Sequence, residues 1–283
     1  MDKAKLRIDL IVVAVALLLA VLFFFPVYFS LISAFKSNGE ILRNAVSLPS
    51  SLYLDSFKYL LTETDFPKAM LNSLILTVAS VVCMIAFIPM AAYAIERTAR
   101  RWTNGIYVYF LAGMMIPFQV YMIPLFKEMK TLGLYGTLTA PILIYISGSV
   151  GMGVLLYTSF IKGIPVEIEE ASAIDGCSRA RTFWQIVFPL LGPCTASMVV
   201  LQGLGIWNDF LMPSLVLHSD RRTLIVEIFR FVGELASRWD LVFAGTTMSI
   251  VPVLIAFIAL QKYFVKRNCR WRHKRVGGTR QLG

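Results

Sequence analysis

Six long runs without a charged residue decide what this chain can fold into. They span residues 10–35, 69–95, 102–126, 131–161, 183–208 and 241–261. Each reaches the roughly 20 residues that cross a hydrocarbon core as helix. A charge at the centre of such a helix costs about 2.5–3.5 kcal/mol even on the gentler insertion scale, which keeps the runs clean. Barrel strands would alternate polar and apolar positions, and these runs do not. The expected fold class is an all-α membrane protein with six transmembrane helices.

Composition closes the other routes. Hydrophobic residues make up 57% of the chain and charged ones 16%, against about 25% charged in a soluble domain. Disordered chains are apolar-poor, so disorder is excluded too. Lys and Arg number 27 against 17 acids, a net charge of +10. In a soluble protein that balance would point to nucleic acid; here it points to loops on the cytoplasmic side of a bilayer. No nucleic-acid partner is expected. Cys83, Cys177, Cys194 and Cys269 lack metal-ligand spacing and read as packing residues rather than a disulfide framework.

The first run follows Lys3, Lys5 and Arg7, as a signal peptide would. It is too long for the 7–15-residue apolar core of a signal peptide, so a retained helix is expected. Placing the N-terminus inside puts 17 Lys and Arg in 61 residues of inner segments and 10 in 70 residues of outer ones. The positive-inside rule then sets both termini in the cytoplasm of a multi-pass protein. The layout is a cytoplasmic N-terminus 1–9, a six-span domain 10–266 with outer loops 36–68 and 208–240, an inner loop 162–189, and a basic tail 267–283.

The inner loop carries the most information. Pro165 is suited to a helix start, and Glu167, Glu169 and Glu170 fill first turns where the helix dipole favours anions. Asp175-Gly176 signals a break. A second short helix is expected over about 178–188, ended by Pro189. Ala171, Ile174, Phe183 and Ile186 would give this hairpin its apolar faces. By periodicity it is an amphipathic hairpin packed on the bundle.

The spacing is more specific. Glu170-Ala171-Ser172, then Gly176, then Ile186, Phe188 and Pro189 resembles the E-A-A-x-x-x-G…I-x-L-P loop of binding-protein-dependent ABC-importer permeases. Ser172 stands for the second Ala and Phe188 for Leu. Other pieces are similar to the carbohydrate branch and its six-span maltose-transporter subunit: Leu71-Asn72-Ser73, Ala92-Tyr93-Ala94, Ile116-Pro117, Ile123-Pro124, and Trp207-Asn208-Asp209-Phe210 with Pro213. The likeness runs from about residue 10 to 266.

That resemblance implies a type I importer fold, located in a bacterial inner or plasma membrane. It implies that the chain is not itself an enzyme and binds no cofactor or metal, with ATP held by a partner subunit. It also implies an extracytoplasmic solute-binding protein and a second permease subunit, either a chain of different sequence or a second copy of this one. Glu170, Ala171, Ser172, Asp175, Gly176, Phe183, Ile186 and Pro189 would form the coupling site. Ala171 and Ser172 would allow close approach of the ATPase, Glu170 would pair with a base there, and Gly176 would make the bend.

Gln202, Asn208 and Asp209 lie in or beside the fifth run and are candidates for the translocation path, since polar groups in spans line pathways or bond between helices. Gly148, Gly151 and Gly153 read as helix-packing positions. A permease for a non-sugar solute is the alternative reading. A secondary transporter would place ionisable residues inside spans, and none is there. The chain also lacks the G-x-x-x-x-G-K-[ST] loop of an ATPase.

The tail departs from the pattern. After Tyr263-Phe264-Val265-Lys266 related permeases close with Gly and Ala; here Arg267-Asn268-Cys269-Arg270-Trp271-Arg272 follows. One reading is a basic end at the lipid surface. The other is a shifted frame: the codons AGG AAT TGC AGG TGG CGC read one base later encode Gly-Ile-Ala-Gly-Gly-Ala.

Overall fold

The computed structural model describes residues 3–98, 100–232 and 237–265. The basic tail and its frame question lie outside them. Among these residues the secondary structure is helical, in fourteen α-helices and one π turn. The chain divides into two compact units: residues up to Lys68 with Val226–Val251, and Ala69–Ile225 with the residues from Pro252 onward.

The first unit begins with α1 (Lys3–Ala34), which is apolar all round from Leu10 onward. None of its most apolar window is buried. The short α2 (Asn38–Arg43) and α3 (Asp55–Thr62) follow. Polar ties hold them. The buried Lys36 donates from Nζ to the carbonyls of Asn44 and Ala45, both at 3.1 Å. Ser56 Oγ donates to Asp240 Oδ2 at 2.9 Å, and Arg238 grips the same carboxylate through two bonds of 3.0 and 2.9 Å. A bidentate guanidinium–carboxylate pair fixes direction as well as distance.

The second unit contains α4 (Phe66–Arg97) from Ala69 onward, α5 (Arg101–Met114), α6 (Phe118–Thr131), α7 (Thr139–Ile161), α8 (Glu167–Ile174), α9 (Arg179–Thr182), a π turn (Phe183–Val187), α10 (Phe188–Leu190), α11 (Gly192–Trp207) and α12 (Leu211–Val216). α13 (Leu224–Phe229) and α14 (Trp239–Val265) complete the chain. Leu76, Met84, Ile88, Val154, Tyr157 and Met198 centre the core of this unit. α5 and α7 pack where Gly151 faces α5; a Cβ there would lie 2.6 Å from the Phe110 carbonyl oxygen. That is the helix-packing role expected of Gly151.

Among the described residues four helices are long and apolar enough to cross a membrane, or up to six if each of two bent pairs is one span. The bends correct the sequence reading. The run 102–126 is not one helix: α5 and α6 meet at 100°. Pro117 offers no N–H, and the residue before a proline avoids the helical region. The run 183–208 is also broken, with α9 to α10 meeting α11 at 74°, and Pro193 starts the new helix at its first turn. The fourth span starts at Thr139 rather than 131, because residues 132–138 form a turn. There Gly136 takes φ 81 and donates its N–H to the Val216 carbonyl at 2.8 Å.

In the outer loop α13 ends at Phe229, and residues 233–236 lie outside the described ones. Its start is pinned to α4. Ser73 Oγ accepts the Leu224 N–H at 2.8 Å, and Asn72 Nδ2 donates to the Arg222 carbonyl at 3.0 Å. Those bonds give Leu71-Asn72-Ser73 its physical use.

Candidate functional site

The hairpin forms as expected, with changes in detail. α8 starts at Glu167 with Val166 as N-cap, so Pro165 precedes the cap instead of occupying the first helical position. Glu167, Glu169 and Glu170 fill the first turn. At the other end the N–H of Gly176 bonds the Ala173 carbonyl at 3.1 Å, and the N–H of Cys177 bonds the Ser172 carbonyl at 3.0 Å. This pair of bonds satisfies helix-end carbonyls and requires a left-handed residue after the cap. Gly176 supplies it at φ 80, just after Asp175, the C-cap.

The second arm runs through Pro189 rather than stopping before it. The proline ring crowds the carbonyl four residues back. The helix adapts with a π turn at Phe183–Val187, in which the Phe188 N–H reaches the Phe183 carbonyl. Such turns are frequent at functional sites.

Burial corrects the expected faces. Phe183 is buried, Ile186 is half-buried and Pro189 is exposed. Ala171 is exposed, and Ile174 is 87% exposed; neither packs on the bundle. The buried residue of α8 is Ser172. Its Oγ donates to the Glu169 carbonyl at 2.7 Å and meets Thr182 Oγ1 at 2.8 Å. Ser172 thus closes the hairpin on itself. Glu170 is exposed beside Ala171. Ile174 sits three and four residues beyond this pair, on the same face.

Sequence reasoning missed three residues. Glu169 Oε1 takes Arg97 Nε at 2.7 Å, and Glu169 Oε2 accepts from the Tyr93 hydroxyl at 2.5 Å. The Tyr93 ring also lies 5.2 Å from that of Phe183. The available signal was spacing: Tyr93 and Arg97 stand four residues apart at the end of α4, hence on one face.

Gln202 and Asp209 bond to α7, and Asn208 does not. Gln202 Oε1 accepts from Ser149 Oγ at 3.0 Å. Asp209 Oδ2 accepts from Tyr145 at 2.8 Å, while its Oδ1 takes the N–H groups of Leu211 and Met212 at the start of α12. Asn208 is exposed and donates to the Leu204 carbonyl of its own helix. A cavity of about 250 Å³ between α4, α11 and α14 is lined by Thr77, Val81, Gly203, Trp207 and Phe257 among others. Its wall is nearly all apolar, which suits hydrocarbon better than a hydroxyl-rich solute. No group of His, Cys, Asp and Glu able to hold a metal occurs among the described residues.

The comparisons with known proteins agree with this architecture. Residues 88–268 match the family described as binding-protein-dependent transport system inner membrane component. The chain is 39% identical to the starch degradation products permease AmyC of Thermoanaerobacterium thermosulfurigenes, over 88% of this chain and 91% of that one. It is 36% identical to the arabinooligosaccharides permease AraQ of Halalkalibacterium halodurans, over 85% and 88%. A bacterial ABC transporter that imports the acidic polysaccharide alginate shares the fold, with TM-score 0.81 and 23% identity over 94% of this chain and 99% of that one. The chain therefore belongs to the family of binding-protein-dependent transport permeases. It is a multi-pass membrane protein of the permease class.

Proposed function

We propose that this chain is the sugar-conducting permease subunit of an ABC importer, coupled to a separate ATPase through α8. One observation carries the reading. α8 is held to its own bundle by one side while Glu170, Ala171 and Ile174 stand exposed on the other. Val166 and Ile174, 46% and 87% exposed, flank Glu170 at i−4 and i+4 on one face. The exposure is thus an apolar patch with a polar rim, and such patches mark protein contacts. The family name supplies the delivering binding protein, and relatives that carry starch products and arabinooligosaccharides support a saccharide cargo. Both termini and the hairpin lie on the cytoplasmic side in this reading, in keeping with the Lys and Arg bias.

A second permease subunit of different sequence completes the pore. The apolar, unburied α1 supports that need, since a helix hydrophobic all round belongs in lipid or against another span. The path runs beside the α7–α11 seam, with Gln202, Asn208 and Asp209 as its polar residues. ATP is bound and hydrolysed by the partner alone. The test is a crosslinking scan with single cysteines at Ala171 and Ile174 in membranes holding the whole transporter. Capture of the ATPase at both positions is expected; capture at neither, with uptake intact, would refute the docking face.

A further inference from the structure

The exposed side of α8 explains docking but not how a push on α8 reaches the spans. Helices usually hold their place by burying apolar side chains. α8 does not: Val166 and Ile168 are 46% and 38% exposed, and Ile174 is 87% exposed. Its hold on the bundle is polar, and it converges on one guanidinium.

Arg97 ends α4. Its Nε donates to Glu169 of α8 at 2.7 Å. Its Nη2 donates to the carbonyls of Ile161 and Ile164 at 3.3 and 2.8 Å, where α7 ends. The two side chains of the pair are only 18% and 12% exposed. One side chain thus joins the ends of two spans to the loop helix. Tyr93, one turn earlier, bonds the other oxygen of Glu169 and lays its ring on Phe183 of the second arm. The nearby Lys162–Glu96 pair spans 3.8 Å with Lys162 62% exposed, so solvent screens it and it carries little.

We infer that Arg97 is the positioning residue that transmits movement of α8 to α4 and α7, with Tyr93 and Glu169 as its partners. The inference rests on the coupling role proposed for α8. The planar fork matters, because it sets donors on separate nitrogens in fixed directions toward a carboxylate and two carbonyls, whereas an ammonium's three donors leave one freely rotating point. Without the fork, α8 stays on the ATPase and slides against the spans.

The test uses the whole transporter in vesicles. Binding protein is loaded with a maltooligosaccharide or arabinooligosaccharide mixture, and ATP hydrolysis and labelled-sugar uptake are read on one preparation. Arg97→Ala is expected to co-purify with the ATPase, to keep basal hydrolysis, and to lose at least tenfold in sugar moved per ATP. Arg97→Lys should fall between, and Tyr93→Phe should lose less than Arg97→Ala. Lys162→Ala should match the wild type. An unchanged sugar-to-ATP ratio in Arg97→Ala would overturn the inference. Should Arg97→Ala fail to assemble, Arg97→Lys and Tyr93→Phe decide: wild-type ratios in both overturn it, and lowered ratios support it. Failure of the wild-type chain to hold any ATPase is a different result and sinks the coupling reading itself.

Discussion

Ser172 Oγ and Thr182 Oγ1 meet at 2.8 Å across the two arms of the inner hairpin. Both side chains are buried, so the contact fixes the angle at which α8 is presented. Ser172→Ala leaves the Thr182 hydroxyl buried without its partner, at a cost of about 1–3 kcal/mol, whereas removing both hydroxyls is nearly neutral. Hydrogen exchange over residues 167–190 should therefore quicken in Ser172→Ala and return toward wild type in Ser172→Ala with Thr182→Val. Equal loss in the single and double variants would show that the bond does not set the hairpin.

Gly176 holds φ 80 with open space around its Cα. A substitution there suffers from backbone conformation and not from a clash. L-residues lose roughly 1–2 kcal/mol in this region, and Asn tolerates it better than most. Uptake should fall in the order Gly, Asn, Ala, Val at position 176. Wild-type uptake by Gly176→Val would mean the turn relaxes freely.

Gly136 presents the opposite case. It also has positive φ, and a Cβ would fall 1.8 Å from the His218 ring. That ring packs on Tyr135 at 4.6 Å between centroids. Gly136→Ala is expected to push the 217–218 segment of the outer loop away, and to cut uptake while ATPase binding stays normal. A disulfide placed between positions 135 and 218 should form in the parent and poorly in the Gly136→Ala background. Equal crosslinking in both would contradict the packing.

Tyr145 and Asp209 tie α7 to the start of α12 at 2.8 Å. Side-chain hydrogen bonds between membrane helices average about 0.6 kcal/mol and reach about 1.7. Tyr145→Phe should therefore cost little in thermal stability. Asp209→Ala should cost more, since it also frees two N–H groups of α12. The reverse order in a melting assay of the detergent-solubilised transporter would show that capping is not the main task of Asp209.

The charge-free runs made the spans legible because desolvation of charge is the strongest local signal a sequence carries. The bends escaped that reading, since hydropathy is blind to Pro117 and Pro193 inside an apolar run. Asp175-Gly176 announced its turn because only a left-handed residue can close α8 in this way. The Arg97–Glu169 pair was invisible for a simple reason: its members stand 72 residues apart, and nothing local in either segment names the other. Ser172 was assigned to the ATPase through motif likeness, and only the packing of α9 showed that its hydroxyl is already used.

Glu170 carries the central claim, because it stands exposed beside Ala171 on the proposed docking face, whereas its neighbour Glu169 holds α8 to α4. The decisive measurement is sugar uptake and ATPase co-purification for Glu170→Ala beside wild type, in vesicles containing the whole transporter. Loss of uptake together with weakened ATPase binding, at unchanged membrane insertion, is the predicted result. Normal uptake with normal co-purification would contradict the account.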